Sequence, residues 1–261
     1  LLGAAVARNG VRVRLLSLLQ RSFLRGLRGL RRLRSDWMVG DGPEEALAAY
    51  VVAHARQGDV ADVIRVIDDF CYHHRFMINV GDEKGKILDD AIRRVRPRRL
   101  LELGTYCGYS ALRMVSVMPN DARLYSIELS PVNAQIAHRI WDYAGVGDRA
   151  TVIVGHLGDD GSTLDQLRTT HGFMPGGLDF VFIDHDKAAY LPDLQHILDQ
   201  NWLHRGSIVV ADNVKFPGAP HYQAYLRQQE GKSWRTTEHK THLEYQSVIT
   251  DLVLESEYLG N

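Results

Sequence analysis

The sequence predicts an α/β fold in which a mostly parallel sheet is covered by helices on both faces, and three observations carry that expectation. From residue 99 to 213, short strand-like runs alternate with helical stretches, the pattern of strand–helix–strand units. Those runs, among them LDFVFID (178–184) and SIVVADN (207–213), are apolar on both sides, as strands buried under two layers of helices must be. The tail differs. WRTTEHKTH (234–242) and SVITDLVLESEY (247–258) are strand-like with no long helix between them, which predicts an antiparallel pair at one edge.

Taken in order, the elements follow from local signals. Residues 11–34 set Leu15, Leu16, Leu19, Phe23, Leu27 and Leu30 at helical spacing, with Arg14, Arg21, Arg25, Arg28 and Arg32 largely on the other side. Such a basic amphipathic helix suits an anionic membrane surface, docking on the protein body or, being Arg-rich and acid-poor, a targeting segment. A linker over 35–45 ends at Pro43, Glu44 and Glu45, residues favourable in a first helical turn. Helices are expected over 44–56 and 59–74, a Gly-containing loop over 78–85, and a helix over 86–95 that Pro97 terminates. RLLEL (99–103) then reads as a strand, 110–118 as a helix and 123–129 as a strand. Pro131 starts and Gly145 stops the next helix. Strands at 151–156, 178–184 and 207–213 are separated by helical stretches near 162–170 and 188–203.

Bulk properties narrow the class. At 261 residues, with 45% apolar and 24% charged residues, the chain is long enough for one large globular domain with an appendage. The expected division is a basic segment over 1–35 and a folded domain over 36–261. The net charge of −1 implies no general attraction to nucleic acid, although residues 1–35 hold nine arginines and no acid. Only Cys71 and Cys107 are present, which argues against a disulfide scaffold and fits a reducing, cytoplasmic setting. No run of 18 apolar residues predicts a spanning helix, so any membrane contact would be peripheral, through residues 11–34.

The chemistry concentrates at two strand ends. LDFVFIDHDK places Asp184 at the end of one strand with Lys187 three residues on, and IVVADN ends another in Asp212 and Asn213. Two carboxylates and an amide make an all-oxygen donor set suited to a hard divalent cation such as Mg²⁺. A lysine beside it is a candidate base. The plainer reading, two aspartates capping helices, leaves Asn213 and Lys187 unused. A second constellation is LLELGTYCGYS (100–110), where Gly104 and Gly108 let a ligand approach the backbone at a strand's carboxyl end. Glu128, about 20 residues later at the end of the next strand, can accept from both hydroxyls of a ribose. The turn is not G-x-G-x-x-G, so a nicotinamide dehydrogenase is poorly served. With Glu102 it suits S-adenosylmethionine (SAM), whose sulfonium is cationic and which has no phosphate. No G-x-S-x-G elbow supports a serine hydrolase. His73 and His74 have no Cys/His partners at ligand spacing, so zinc is not expected.

LELGTYCGYSALRM, the IEL ending in Glu128, FIDHDK, ADNVKFPGAP and HLEY, in that order, resemble catechol O-methyltransferase from about residue 40 to 260. The resemblance implies a three-layer, Rossmann-like SAM methyltransferase fold with a seven-stranded sheet, the last strand antiparallel at an edge. It implies Asp184, Asp212 and Asn213 as Mg²⁺ ligands, Lys187 as general base and Glu244 as the carboxylate for the second hydroxyl. Glu128 matches the ribose ligand, and Glu102, Gly104, Tyr106 and Ser110 match residues lining the methionine end. Asn79, Val80, His156 and His185 fall where cofactor or substrate is contacted, and Pro217 matches a wall of the catechol pocket.

The implied chemistry is SAM-dependent methylation of one hydroxyl of a vicinal diol. Chelation of both oxygens by Mg²⁺ makes a poor nucleophile a good one. Lys187 accepts the hydroxyl proton only in its neutral form, which the neighbouring cation favours. Departures from the family are local. Asp186 stands where the family carries a gate tryptophan, Phe76 replaces another tryptophan, and Ile78 a methionine. Asp186 predicts a more polar, more negative mouth and a substrate that is larger, more polar or cationic. Leu157-Gly158, after His156, removes side-chain hydrogen bonds expected near the adenine. Alternatives are methylation of a phenylpropanoid-CoA-like acceptor and a non-catalytic, membrane-associated binding or chaperone protein on the same fold.

Overall fold

In the computed structural model, which describes residues 42–260, the expected alternation is present as a three-layer α/β/α arrangement. Three helices lead in: α1 (Pro43–His54), α2 (Val60–His73) and α3 (Gly81–Val95). The alternating part runs β1 (Arg99–Leu103), α4 (Tyr109–Val117), β2 (Arg123–Glu128), α5 (Pro131–Ala144), β3 (Ala150–Val154), α6 (Ser162–Thr169), β4 (Leu178–Ile183), α7 (Tyr190–Asp199) and β5 (Leu203–Ala211). A π-turn over Val214–Gly218 leads to α8 (Pro220–Gln229), β6 (Trp234–His242) and β7 (Thr250–Tyr258). Local chemistry explains the helix ends. Asp59 accepts from Asp62 N at the start of α2, and Ser130 accepts from Asn133 N beside Pro131 at the start of α5. Gly145 ends α5 in the left-handed region.

The seven strands lie in the order β3-β2-β1-β4-β5-β7-β6. Strands β1 to β5 pair in parallel, while β7 is antiparallel to both β5 and β6. The antiparallel pair of the tail is therefore present, but the expected placement of the reversed strand at the edge is corrected: β7 inserts between β5 and β6, and β6 is the edge. The reason is in the residues. β7 (TDLVLESEY) carries Leu252, Val253 and Leu254 buried and fills an interior place, whereas β6 exposes Arg235, Glu238 and Lys240, the charged character of an edge strand.

Successive residues of the sheet feed two cores. Leu100, Leu124, Phe180, Phe182 and Val210 face the layer formed by α1 to α5. Leu101, Leu103, Ile127, Val181, Ile183 and Val209 face the layer of α6 to α8. Strand order reverses between β1 and β4, and at such a switch point the connections diverge to opposite faces and leave a crevice at the carboxyl ends.

Two boundaries differ from expectation. The loop expected over 78–85 is helical from Gly81, with Asp82 and Glu83 in the first turn, and Gly85 is inside α3. A Cβ at Gly85 would stand 2.5 Å from Arg113 Nε, so the glycine is there to let the Arg113 side chain, paired with Asp89 at 2.6 Å, cross the helix. The helix expected over 188–203 stops at Asp199, and β5 already begins at Leu203, with an irregularity that pairs Leu178 with Leu203 and Phe180 with Ile208. The basic helix expected over 11–34, and its membrane contact, lie outside the described residues. Among those described, no helix is long and apolar enough to cross a membrane.

Candidate active site

All the candidate residues except Glu102, Lys187 and Asp212 line one cavity of about 550 Å³ at the carboxyl ends of the parallel strands. Its volume is that of a small-molecule site. Phe76, Ile78, Leu157 and Gly158, the positions that depart from the resemblance, line it too.

One end is built by β1, β2 and the turn into α4. Gly104 has φ +101°, and a Cβ there would stand 2.5 Å from the Asp184 carbonyl oxygen. Gly108 has φ +81°, and a Cβ would meet Trp141 Nε1 at 2.3 Å. Both positions therefore demand glycine. Tyr106, also left-handed at φ 49°, donates its backbone N–H to Glu128 Oε2 at 2.7 Å, and Ser130 N donates to Oε1 at 2.8 Å. The Glu128 carboxylate is thus held by two backbone donors, and each oxygen has a second lone pair that can accept a further hydrogen bond. Burial raises its pKa, opposed by those same N–H groups.

Glu102 is not a lining residue. It is fully buried behind Ser110 and Ser126, whose hydroxyls both donate to it. Burial pushes it up to about 8 despite those hydroxyls. The cavity is faced instead by Ser110. Tyr106 OH donates to Glu44 Oε1 at 2.7 Å, and Glu44 is itself buried near the start of α1. His185 Nε2 donates to Asp193 Oδ2 at 2.7 Å and its ring stacks on Tyr190, while its buried Nδ1 has no partner among the described residues. Cys71 and Cys107 are both buried, and burial pushes the Cys71 thiol up to about 12.

The other end gathers carboxylates. Asp184 follows β4 and its N–H bonds Leu103 O, while Asp212 follows β5 and its N–H bonds Ile183 O, so the sheet ladder itself sets the two side by side. Asn213, left-handed at φ 54°, donates Nδ2 to Glu244 Oε1 at 3.0 Å and to Asp251 Oδ2 at 2.8 Å, which leaves its Oδ1 as the acceptor atom. Lys187 Nζ donates to Asp184 Oδ1 at 2.9 Å and to Tyr190 OH at 2.5 Å, and Tyr190 OH in turn donates to the Asp212 carbonyl at 3.0 Å.

Two contributors were not anticipated from the sequence. Lys84, in the first turns of α3, is fully buried with Nζ 2.8 Å from Asp212 Oδ2 and 3.2 Å from Asp251 Oδ2, and pairs with Glu244 Oε1. Asp251, on β7, also accepts from Phe216 N at 3.0 Å. The signal for Lys84 is a lysine four residues before Leu88 and seven before Ala91, on the buried face of α3.

Four carboxylates thus face two ammonium groups in one largely buried corner. Burial raises the pKa of Asp184, against the lowering effect of Lys187 and Lys84. Burial likewise raises Asp212, against Lys84. Burial would lower that of Lys84, but Asp212, Glu244 and Asp251 together raise it. Asp212 Oδ2 pairs with Lys84 Nζ at 2.8 Å and accepts no other hydrogen bond among the described residues. Four carboxylates against two ammonium groups leave a surplus of anionic oxygen, and with the Asn213 amide oxygen beside it this donor set fits a hard divalent cation.

Comparison with known proteins agrees with this architecture. The family profile described as O-methyltransferase matches residues 59–238. A Mycobacterium tuberculosis protein described as a probable O-methyltransferase is 60% identical over 232 residues, covering 89% of this chain and 99% of that protein. The catechol O-methyltransferase of Mus musculus is 38% identical over 215 residues, covering 82% of this chain and 78% of that protein. Among solved structures, the O-methyltransferase TomG from Streptomyces achromogenes, in complex with SAM, superposes with a TM-score of 0.60 at 22% identity, over 88% of this chain and 95% of that one. With its switch-point cavity, its seven-stranded sheet and these relatives, the chain belongs to the O-methyltransferase family of SAM-dependent enzymes.

Proposed function

We propose that the protein methylates one hydroxyl of a catechol-type small molecule, with SAM as donor and Mg²⁺ held by Asp184, Asp212 and Asn213. The observation that carries the reading is the meeting of these three oxygen donors with Lys187 and Glu244 in one acidic corner, of which Asp184, Asn213 and Glu244 line the same cavity as Glu128. The excess of carboxylates over ammonium groups in this corner, with the Asn213 Oδ1 left by an amide that donates through Nδ2, supports the metal. The 38% identity to a mammalian catechol O-methyltransferase supports the acceptor class. Membership of an enzyme family sets aside the non-catalytic alternative.

When bound, the ion would act as a Lewis acid on the two vicinal oxygens and orient them. The chain's own residues do the rest. Lys187, within 2.9 Å of Asp184 Oδ1, is placed to take the proton of the hydroxyl that attacks. Tyr190 and Asp184 hold its Nζ in position. Glu244, steadied at Oε1 by Asn213 Nδ2, accepts from the second hydroxyl through its remaining oxygen. The apolar side of the cavity, Phe76, Ile78, Pro217 and Leu243, keeps water from the line of transfer. Asp186, exposed at the mouth, favours an acceptor that is polar or cationic at its far end.

The test is methyl transfer from SAM to a simple catechol with Mg²⁺ and with EDTA, beside Lys187→Ala and Asp184→Ala. Turnover that needs metal and collapses in both variants supports the mechanism. SAM binding without catechol turnover, in metal-replete protein, would refute the acceptor class and direct attention to Asp186.

A further inference from the structure

We infer that Lys84 is a positioning residue whose ammonium permanently fills an inner cation position of the acidic corner, and so confines a divalent ion to the outer position at Asp184, Asp212 and Asn213. The inference rests on the metal reading given above and concerns residues that reading does not use.

Three carboxylates, from Asp212, Glu244 and Asp251, present oxygens within 4.8 Å of one another, a spacing that by itself suits a metal ion. That space is taken. Lys84 Nζ contacts all three, at 2.8 Å to Asp212, 3.2 Å to Asp251 and in a close pair with Glu244. An ammonium has three N–H donors and no acceptor, so three anionic oxygens satisfy it completely. A lysine this deeply buried is tolerated only when so paired. Its stem leaves the fourth residue of α3, a helix anchored by Leu88, Ala91 and Ile92 in the core, so the ammonium is delivered by a rigid element rather than a loop.

Two consequences follow for the site. Glu244 Oε1 is committed to Lys84 and to Asn213 Nδ2, which orients the carboxylate and assigns Oε2 to a ligand. Asp212 is shared: its Oδ2 faces Lys84, and Oδ1 accepts from Asn213 N at 2.6 Å, so the ion and the ammonium compete for one carboxylate. A fixed monovalent cation at the inner position keeps a divalent ion from sliding inward, where it would draw Glu244 away from a substrate hydroxyl. The selectivity is positional and needs no change in the outer ligands.

The experiment is Mn²⁺ titration by calorimetry, with melting temperatures in EDTA and in Mn²⁺, on the wild type and Lys84→Met. The wild type is expected to bind one equivalent. Lys84→Met is expected to bind a second equivalent, or one at least tenfold more tightly. It should melt several degrees lower in EDTA, and Mn²⁺ should recover most of that loss. Its KM for a catechol should rise more than its kcat falls. A folded Lys84→Met with one equivalent, unchanged affinity and a metal-independent loss of melting temperature overturns the inference and leaves the outer site standing. A wild type that binds no Mn²⁺ overturns the metal reading and this inference with it. Should Lys84→Met not fold, Lys84→Met/Asp251→Asn removes one charge of each sign, and the same two readouts decide.

Discussion

Gly104 and Asp184 meet where the strand order reverses: the backbone of the first, at φ +101°, leaves room for the carbonyl oxygen of the second only because there is no Cβ, which would stand 2.5 Å away. The contact joins the turn of the cofactor end to the strand end that bears a metal-ligand candidate. Gly104→Ala must push β1 and β4 apart at that end. Overpacking of this kind costs about 1–3 kcal/mol, before the strain of a left-handed alanine. We expect a lower melting temperature together with a loss of S-adenosylhomocysteine affinity, read by calorimetry. Unchanged affinity would show that the contact does not shape the cofactor end.

Glu128 is expected to set that affinity directly. In Glu128→Gln one oxygen becomes an NH₂ facing a backbone donor, Tyr106 N or Ser130 N, so the variant loses a ribose acceptor and loosens the turn. A loss of roughly 1–3 kcal/mol, about five- to 150-fold in affinity, is the expected size for a buried acceptor removed. Binding of S-adenosylhomocysteine at equal strength in variant and wild type would exclude Glu128 from the ribose site.

Glu102 makes stability depend on pH in an unusual direction. Burial holds its carboxyl at about 8, above the ordinary 4.5, so between those values the folded form binds more protons than the unfolded chain. Stability contributed by the protonated form is then complete below about pH 4.5 and is lost as pH rises through about 8. Glu102→Gln removes that loss. Relative to wild type, the variant should gain melting temperature steadily from pH 5 to pH 8.5. Parallel profiles across the range would show that the carboxyl ionises normally.

Asp186 is expected to bias the choice of acceptor. Replacing it with Asn should reduce the preference, in kcat/KM, for a catechol bearing an amine over one bearing a carboxylate by about fivefold or less, since the group is exposed and screened. The bias should shrink further with added salt. An unchanged ratio at low ionic strength would mean that the acceptor's far end does not approach the mouth on that side.

Much of the site was legible because its residues sit at strand ends, and strand ends announce themselves. Asp184, Asp212 and Asn213 close the runs FVFI and IVVA, and Gly104 and Glu128 close β1 and its neighbour, so alternation of apolar strands with helices locates all five. The doubly wound architecture follows from the same alternation, since parallel strands joined by helices have few other ways to bury both faces.

What tertiary structure decided lies where a local signal pointed elsewhere. The two glycines of GDEKGK argue against a helix, so Lys84 reads as a loop residue; in the fold the helix begins at Gly81, Arg113 crosses it at Gly85, and Lys84 falls on its buried face. Asp251 sits in an ordinary strand pattern, and only the insertion of β7 beside β5 brings it to Asn213. Glu102 belongs to the same strand as the cofactor turn, yet the hydroxyls of Ser110 and Ser126 close over it and withdraw it from the cavity. The chain alone marked the five parallel strands, an antiparallel pair in the tail and the residues at the parallel strands' carboxyl ends, because strand periodicity and turn glycines are local properties, but it did not place β7 inside β6. Which charges pair in the buried corner was left to the tertiary structure, because that pairing joins residues up to 167 positions apart and is set by how α3 and β7 pack against β5.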